Sequence, residues 1–135
     1  MRPVLVIGNK NYSSWSLRPW LALRKAGVRF DEVNIPLQHP DTATRIAEYS
    51  PSGRVPVLID GDRRIWDSLA ILEYLAEDYP WLWPEARSAR AFARSACAEM
   101  HSSFTAMRTH LSMNCRAQDR TFPPTPAILA DIERI

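Results

Sequence analysis

At 135 residues the chain is of ordinary single-domain length and long enough to bury a sizeable core. An apolar share of 46% beside 24% charged residues is the composition of a soluble globular protein and excludes a disordered one. The formal net charge of +2 is small, and its arginines are spread along the chain without a polybasic patch, which argues against nucleic acid or an anionic membrane as partner. Met1 to Gly8 is apolar only for the length of a strand, too short for a signal peptide, and no run approaches a membrane span. Cys97 and Cys115 fit neither a metal motif nor a disulfide scaffold; the expectation is two reduced thiols in a bacterial-type cytoplasm and no metal site.

In chain order, Val4 to Ile7 is a continuous apolar run ending at Gly8, which predicts a strand buried on both faces. A helix follows from Ser14 or Ser16 to about Ala26, carrying Leu17, Trp20, Leu21 and Leu23 and closed by Gly27. Arg29 to Ile35 alternates as a second strand, and so short a crossover makes the two strands parallel. A short helix is expected around Thr42 to Glu48. Val57–Ile59 and Arg64–Trp66 are two strands joined tightly enough to be antiparallel. A helix from Asp67 to about Asp78 completes a β-α-β-α-β-β-α order, a mixed sheet of thioredoxin-like architecture over residues 1–79.

Tyr79 to Pro84 is a proline-bounded aromatic connector, and 80–86 reads as a linker. Beyond it Ala89, Phe92, Ala93, Ala96, Met100, Phe104, Met107 and Leu111 fall on one apolar stripe, predicting a single long helix that opens an all-helical domain over 87–135. Phe122 to Pro126 breaks the chain before a last helical segment, Ala127 to Ile135.

Two motifs carry chemistry. In Ser50-Pro51-Ser52-Gly53-Arg54-Val55-Pro56-Val57, a proline at the mouth of a strand cannot donate to a ladder, which leaves the Val55 backbone free for a ligand. Asp67-Ser68 ends the following hairpin and starts a helix, so a carboxylate and a hydroxyl stand at a helix N-terminus. Together these suit a small zwitterionic peptide whose main chain pairs with Val55 and whose carboxylate meets the helix end.

Val55-Pro56, the hairpin and Asp67-Ser68-Leu69-Ala70-Ile71-Leu72-Glu73-Tyr74-Leu75 resemble the glutathione-binding half of the cytosolic glutathione transferases. The turn Asn11-Tyr12-Ser13-Ser14-Trp15-Ser16-Leu17-Arg18 is similar to the Ser-Ser-Cys-Ser-x-Arg signature of the zeta class, with Trp15 where zeta has cysteine. In that family the second domain is a helical bundle larger than the first, and the resemblance implies that this chain carries only its opening portion. Uncovered by later helices, the long helix is then expected to expose an apolar patch and to drive self-association.

The resemblance implies that Ser13, with Ser14 beside it, stabilises the thiolate of glutathione, a co-substrate and the only cofactor expected. Tyr12 is a competing hydroxyl, and a helix cap is the plain reading of either serine. Val55 would pair with the cysteine of glutathione beside a cis Pro56, and Asp67 and Ser68 would take its γ-glutamyl group. Arg54 would hold the glycyl carboxylate, with Gln38 or His39 as the other candidates. Trp15, His101, Phe104 and Arg108 would border the electrophile. The implied activity is conjugation of glutathione to a small hydrophobic electrophile by a cytoplasmic homodimer. The alternatives are a glutathione-dependent isomerase like maleylacetoacetate isomerase, and a non-catalytic binding or dimerisation module of the same fold.

Overall fold

The computed structural model describes residues 2–135. Its four-stranded sheet runs in the order β2-β1-β3-β4, with β1 (Val4–Ile7) parallel to β2 (Asp31–Asn34) and antiparallel to β3 (Val57–Asp60), which pairs antiparallel with β4 (Arg63–Trp66). Successive side chains on a strand point to opposite faces, so β1 divides its apolar run between two cores. Leu5 and Ile7, with Leu58 of β3, pack against Ala22 and Leu23 of α1 (Ser14–Lys25) and Ile71 and Leu75 of α3 (Ser68–Asp78). Val6 and Val57 face the other way, onto Ile35 just after β2 and Ile46 of α2 (Thr42–Ala47). The thioredoxin-like order expected from the sequence is the one observed, with the cis peptide at Val55-Pro56.

A short 3-10 turn, Pro80–Leu82, leads to α4 (Arg87–Ser102). Here the structure corrects the sequence reading. The stripe does not run on as one helix: Ser103 is extended, Phe104 adopts a left-handed conformation at φ 64°, and α5 (Thr105–His110) sets off in a new direction. Consecutive serines at 102–103 are weak helix formers. The Arg108 side chain then returns to bond the carbonyls of Ser103 (2.9 Å) and Met100, satisfying acceptors that the end of α4 leaves open. Left-handed backbone costs a non-glycine residue of order 1–2 kcal/mol. Burial of the Phe104 ring, 7% exposed, offsets that cost.

The elbow lets α6 (Pro126–Arg134) fold back on α5. Ile128 is buried, Asp131 accepts from the Met107 amide at 3.0 Å, and Arg134 forms a two-pronged ion pair with Glu99 of α4. Of the stripe, Phe104 is buried while Phe92 remains 76% exposed on α4. No helix among the described residues is long and apolar enough to cross a membrane.

Candidate functional site

The sheet presents two neighbouring cavities at the ends of its strands. The first, of about 530 Å³, is lined by Ser52, Arg54, Val55, Pro56, Trp66, Asp67 and Ser68 from the sheet layer and by His101 from α4. The second, of about 410 Å³, lies between Tyr12, Ser13 and Ser14 on one side and Met107, Arg108 and Leu111 on the other, with Leu37 beside them. Trp15 is the residue common to both linings.

Local sequence builds the first cavity. Gly53 turns the chain at φ 66°, and the Ser50 hydroxyl accepts from the Arg54 amide at 3.2 Å, which fixes the approach to Val55. Pro56 has no N–H to offer, and the Val55 backbone makes no hydrogen bond with any described residue, so its donor and acceptor are both available. Asp67 caps α3: its Oδ1 accepts from the amides of Leu69 (2.9 Å) and Ala70 (3.3 Å). It does so at φ 75°, a conformation that Asp and Asn tolerate better than most residues. Its other oxygen, Oδ2, meets Nε2 of His101 at 3.0 Å. Ser68, the first residue of α3, is 2% exposed, and its hydroxyl has no hydrogen-bond partner among the described residues. A buried hydroxyl left unbonded beside a cavity and a helix N-terminus is poised to donate to an anion.

At the second cavity the turn from β1 into α1 is closed by the amides of Tyr12 and Ser13, both bonded to the Asn9 carbonyl. Ser13 caps α1, accepting from the Ser16 amide at 3.4 Å, and donates its own proton to the Ser16 hydroxyl at 2.8 Å. Ser16 in turn accepts from the Gly8 amide. A Cβ on Gly8 would stand 3.1 Å from that of Ser13 and 2.7 Å from the Leu37 side chain, so glycine is what permits this close approach.

The wall between the cavities is electrostatic as well as steric. Arg18 and Arg108 stack on Trp15, their guanidinium carbons 4.3 and 4.6 Å from the ring centre, and His101 meets it edge-on at 5.1 Å. Burial and the neighbouring Arg108 charge together push the Arg18 guanidinium below its ordinary pKa.

Residues 12–78 match the family described as glutathione S-transferase, N-terminal domain. By this domain the chain belongs to the glutathione S-transferase family. It is 42% identical over 67 residues to glutathione S-transferase F10 of Arabidopsis thaliana, covering 47% of this chain and 30% of that protein. It is 32% identical over 96 residues to a probable maleylacetoacetate isomerase of Caenorhabditis elegans, covering 70% of this chain and 44% of that one. The chain thus spans less than half the length of these curated relatives. Among solved structures, a glutathione transferase homolog from Burkholderia gl BGR1 with bound glutathione superposes with a TM-score of 0.69 at 27% identity, over 80% of this chain and 60% of that one.

Against that frame of a glutathione S-transferase domain, Arg54, Val55, Pro56, Asp67 and Ser68 are gathered in the first cavity, whereas Ser13 and Ser14 face the second. Gln38 and His39 are exposed and line neither cavity; the His39 amide donates to Thr42 at the start of α2. Of the electrophile candidates, Trp15 and Arg108 border the second cavity, His101 belongs to the first, and Phe104 lies buried in the α4–α5 elbow and lines neither. Sequence reasoning missed Trp66 and Ser52 in the first cavity and Leu37, Met107 and Leu111 in the second. Trp66, a half-exposed indole at the end of an edge strand, was the one with a visible signal.

Proposed function

We propose that the first cavity binds glutathione and that the second receives a hydrophobic electrophile, so that the protein transfers the glutathione thiolate to it. The γ-glutamyl carboxylate accepts from the Ser68 hydroxyl and the N-terminal amides of α3, its ammonium meets Asp67, the cysteine main chain pairs with Val55, and Arg54 takes the glycyl carboxylate. The observation that carries this reading is the buried, unbonded Ser68 hydroxyl beside a free Val55 backbone. Pairing with the main chain at Val55 would place the thiol near the Trp15 border between the two cavities.

Ser13 is assigned to the thiolate, with Ser14 as its neighbour. A free thiol titrates near ~8.5, and each unit by which it is lowered corresponds to about 1.4 kcal/mol. To supply that, the Ser13 proton turns from Ser16 to the sulfur while Ser13 continues to accept from the Ser16 amide. The likeness to a probable maleylacetoacetate isomerase favours glutathione-dependent isomerisation as a second reading of the same site. The proton that Ser13 already gives to Ser16 favours a third, a binding or dimerisation module without turnover. Cytoplasmic location and a homodimer complete the proposal, as is general for the family.

Calorimetric titration with glutathione, followed by a chlorodinitrobenzene conjugation assay, tests the reading. Binding with turnover is expected. Binding without conjugation rules out the transferase reading and leaves the isomerase and the module, and no binding at millimolar glutathione refutes the site.

A further inference from the structure

Among the described residues Asp67 is the one carboxylate lining the first cavity, so recognition of a ligand ammonium there depends on where its outer oxygen points. Oδ1 is committed to the amides of Leu69 and Ala70. A carboxylate held by one oxygen still turns about its terminal torsion, which is broad. The second oxygen is fixed from another part of the fold: Nε2 of His101, near the end of α4, reaches Oδ2 at 3.0 Å.

The imidazole is itself held in place. It stands edge-on to Trp15, whose ring Arg18 and Arg108 stack on, and its Nδ1 is buried with no partner among the described residues. With Nε2 against a carboxylate oxygen, it is Nε2 that donates. The ring therefore donates to Asp67 and to nothing else among the described residues.

We propose that His101 is a positioning residue for the ammonium of a zwitterionic ligand: it fixes Oδ2 of Asp67 so that the lone pair His101 does not use is presented to the cavity. A carboxylate oxygen accepts two donors, so the imidazole N–H and the ammonium share Oδ2 without competing. The inference rests on the glutathione reading above. It adds that affinity for a ligand seated on the sheet domain depends on a side chain from the helical segment.

The test is calorimetry on the whole 135-residue chain with two ligands, glutathione and its analogue lacking the γ-glutamyl amino group. His101→Leu is expected to weaken glutathione about tenfold, the loss of one hydrogen bond to a charged group. It leaves the analogue's affinity unchanged. His101→Gln, which keeps an N–H at similar reach, restores most of the glutathione affinity. Equal weakening of both ligands, or no rescue by glutamine, makes His101 merely structural and overturns the inference. If Asp67→Asn weakens glutathione while His101→Leu does not, the inference falls and the glutathione reading stands. If wild type binds neither ligand, or Asp67→Asn binds glutathione normally, the glutathione reading fails and takes the inference with it.

Discussion

Replacing Ser68 by alanine should move stability and affinity in opposite senses, because the hydroxyl is buried without a partner in the free protein and is assigned one only in the complex. In the free protein the side chain bears a desolvation cost of roughly 1–3 kcal/mol with nothing bonded in return. Its Cβ remains in alanine, so no large cavity opens. Taking the low end, a gain of about 1 kcal/mol corresponds to a rise in Tm of roughly 3–5 °C for a chain of this size. In the complex the same hydroxyl donates to a carboxylate, a charge-assisted bond of about 1.5–3 kcal/mol, and its loss raises the glutathione Kd about 10- to 150-fold. Differential scanning fluorimetry without ligand and calorimetry with glutathione read the two effects separately. A Ser68→Ala protein that melts several degrees lower and binds glutathione as tightly as wild type would show the hydroxyl to be structural, and the argument from its isolation would fail.

Asp67→Asn should keep the α3 cap and tolerate the positive φ, so its Tm stays within a degree or two while glutathione binding weakens; Asp67→Ala loses the cap and strains the backbone, and its Tm falls by the equivalent of about 2 kcal/mol. Ser13→Ala should cut the chlorodinitrobenzene rate far more than it raises the Kd, shifting the bound thiol up by roughly one to two pKa units, at a cap cost of about 1 kcal/mol. An unchanged rate, with collapse in Ser14→Ala or Tyr12→Phe, would relocate the role. Glu32 gives a pH signature. Burial raises its carboxyl, but hydrogen bonds from Lys10 and Trp20 outweigh it and hold the group below its ordinary 4.5. A depressed carboxylate stabilises above the unfolded value and is lost as pH falls through the folded one. Wild type should therefore lose stability on acidification below about 4.5, and Glu32→Gln should lose less in the same acid melts; identical slopes would dispose of the assignment.

The sheet and its three covering helices were legible because strand and helix periods leave plain marks: Leu5 and Ile7 against Val6, Leu58 against Val57, and Ile71 with Leu75 on one turn-spaced face. Asp67-Ser68 was legible because capping chemistry is local. What escaped was set by tertiary forces. The apolar stripe keeps helical spacing straight through Ser102 and Ser103, and neither glycine nor proline marks the elbow. The turn at Phe104 follows from burial against a segment that folds back later in the chain. The bond from His101 to Asp67 joins elements whose approach no sequence period encodes. Nor could sequence alone say that the Ser13 proton is already engaged by Ser16, since spacing fixes a cap but not the direction of a hydroxyl.

Trp15 has one more consequence. Because one indole borders both chambers, the boundary between them is only as permanent as that side chain's bulk and the stacked guanidinium groups that steady it. A cysteine or alanine at this position would turn the wall into a doorway, and reagents too long for either room would then lie across both. The same substitution would also release the His101 ring that stands edge-on to that indole, so the boundary and the Asp67 contact would loosen together.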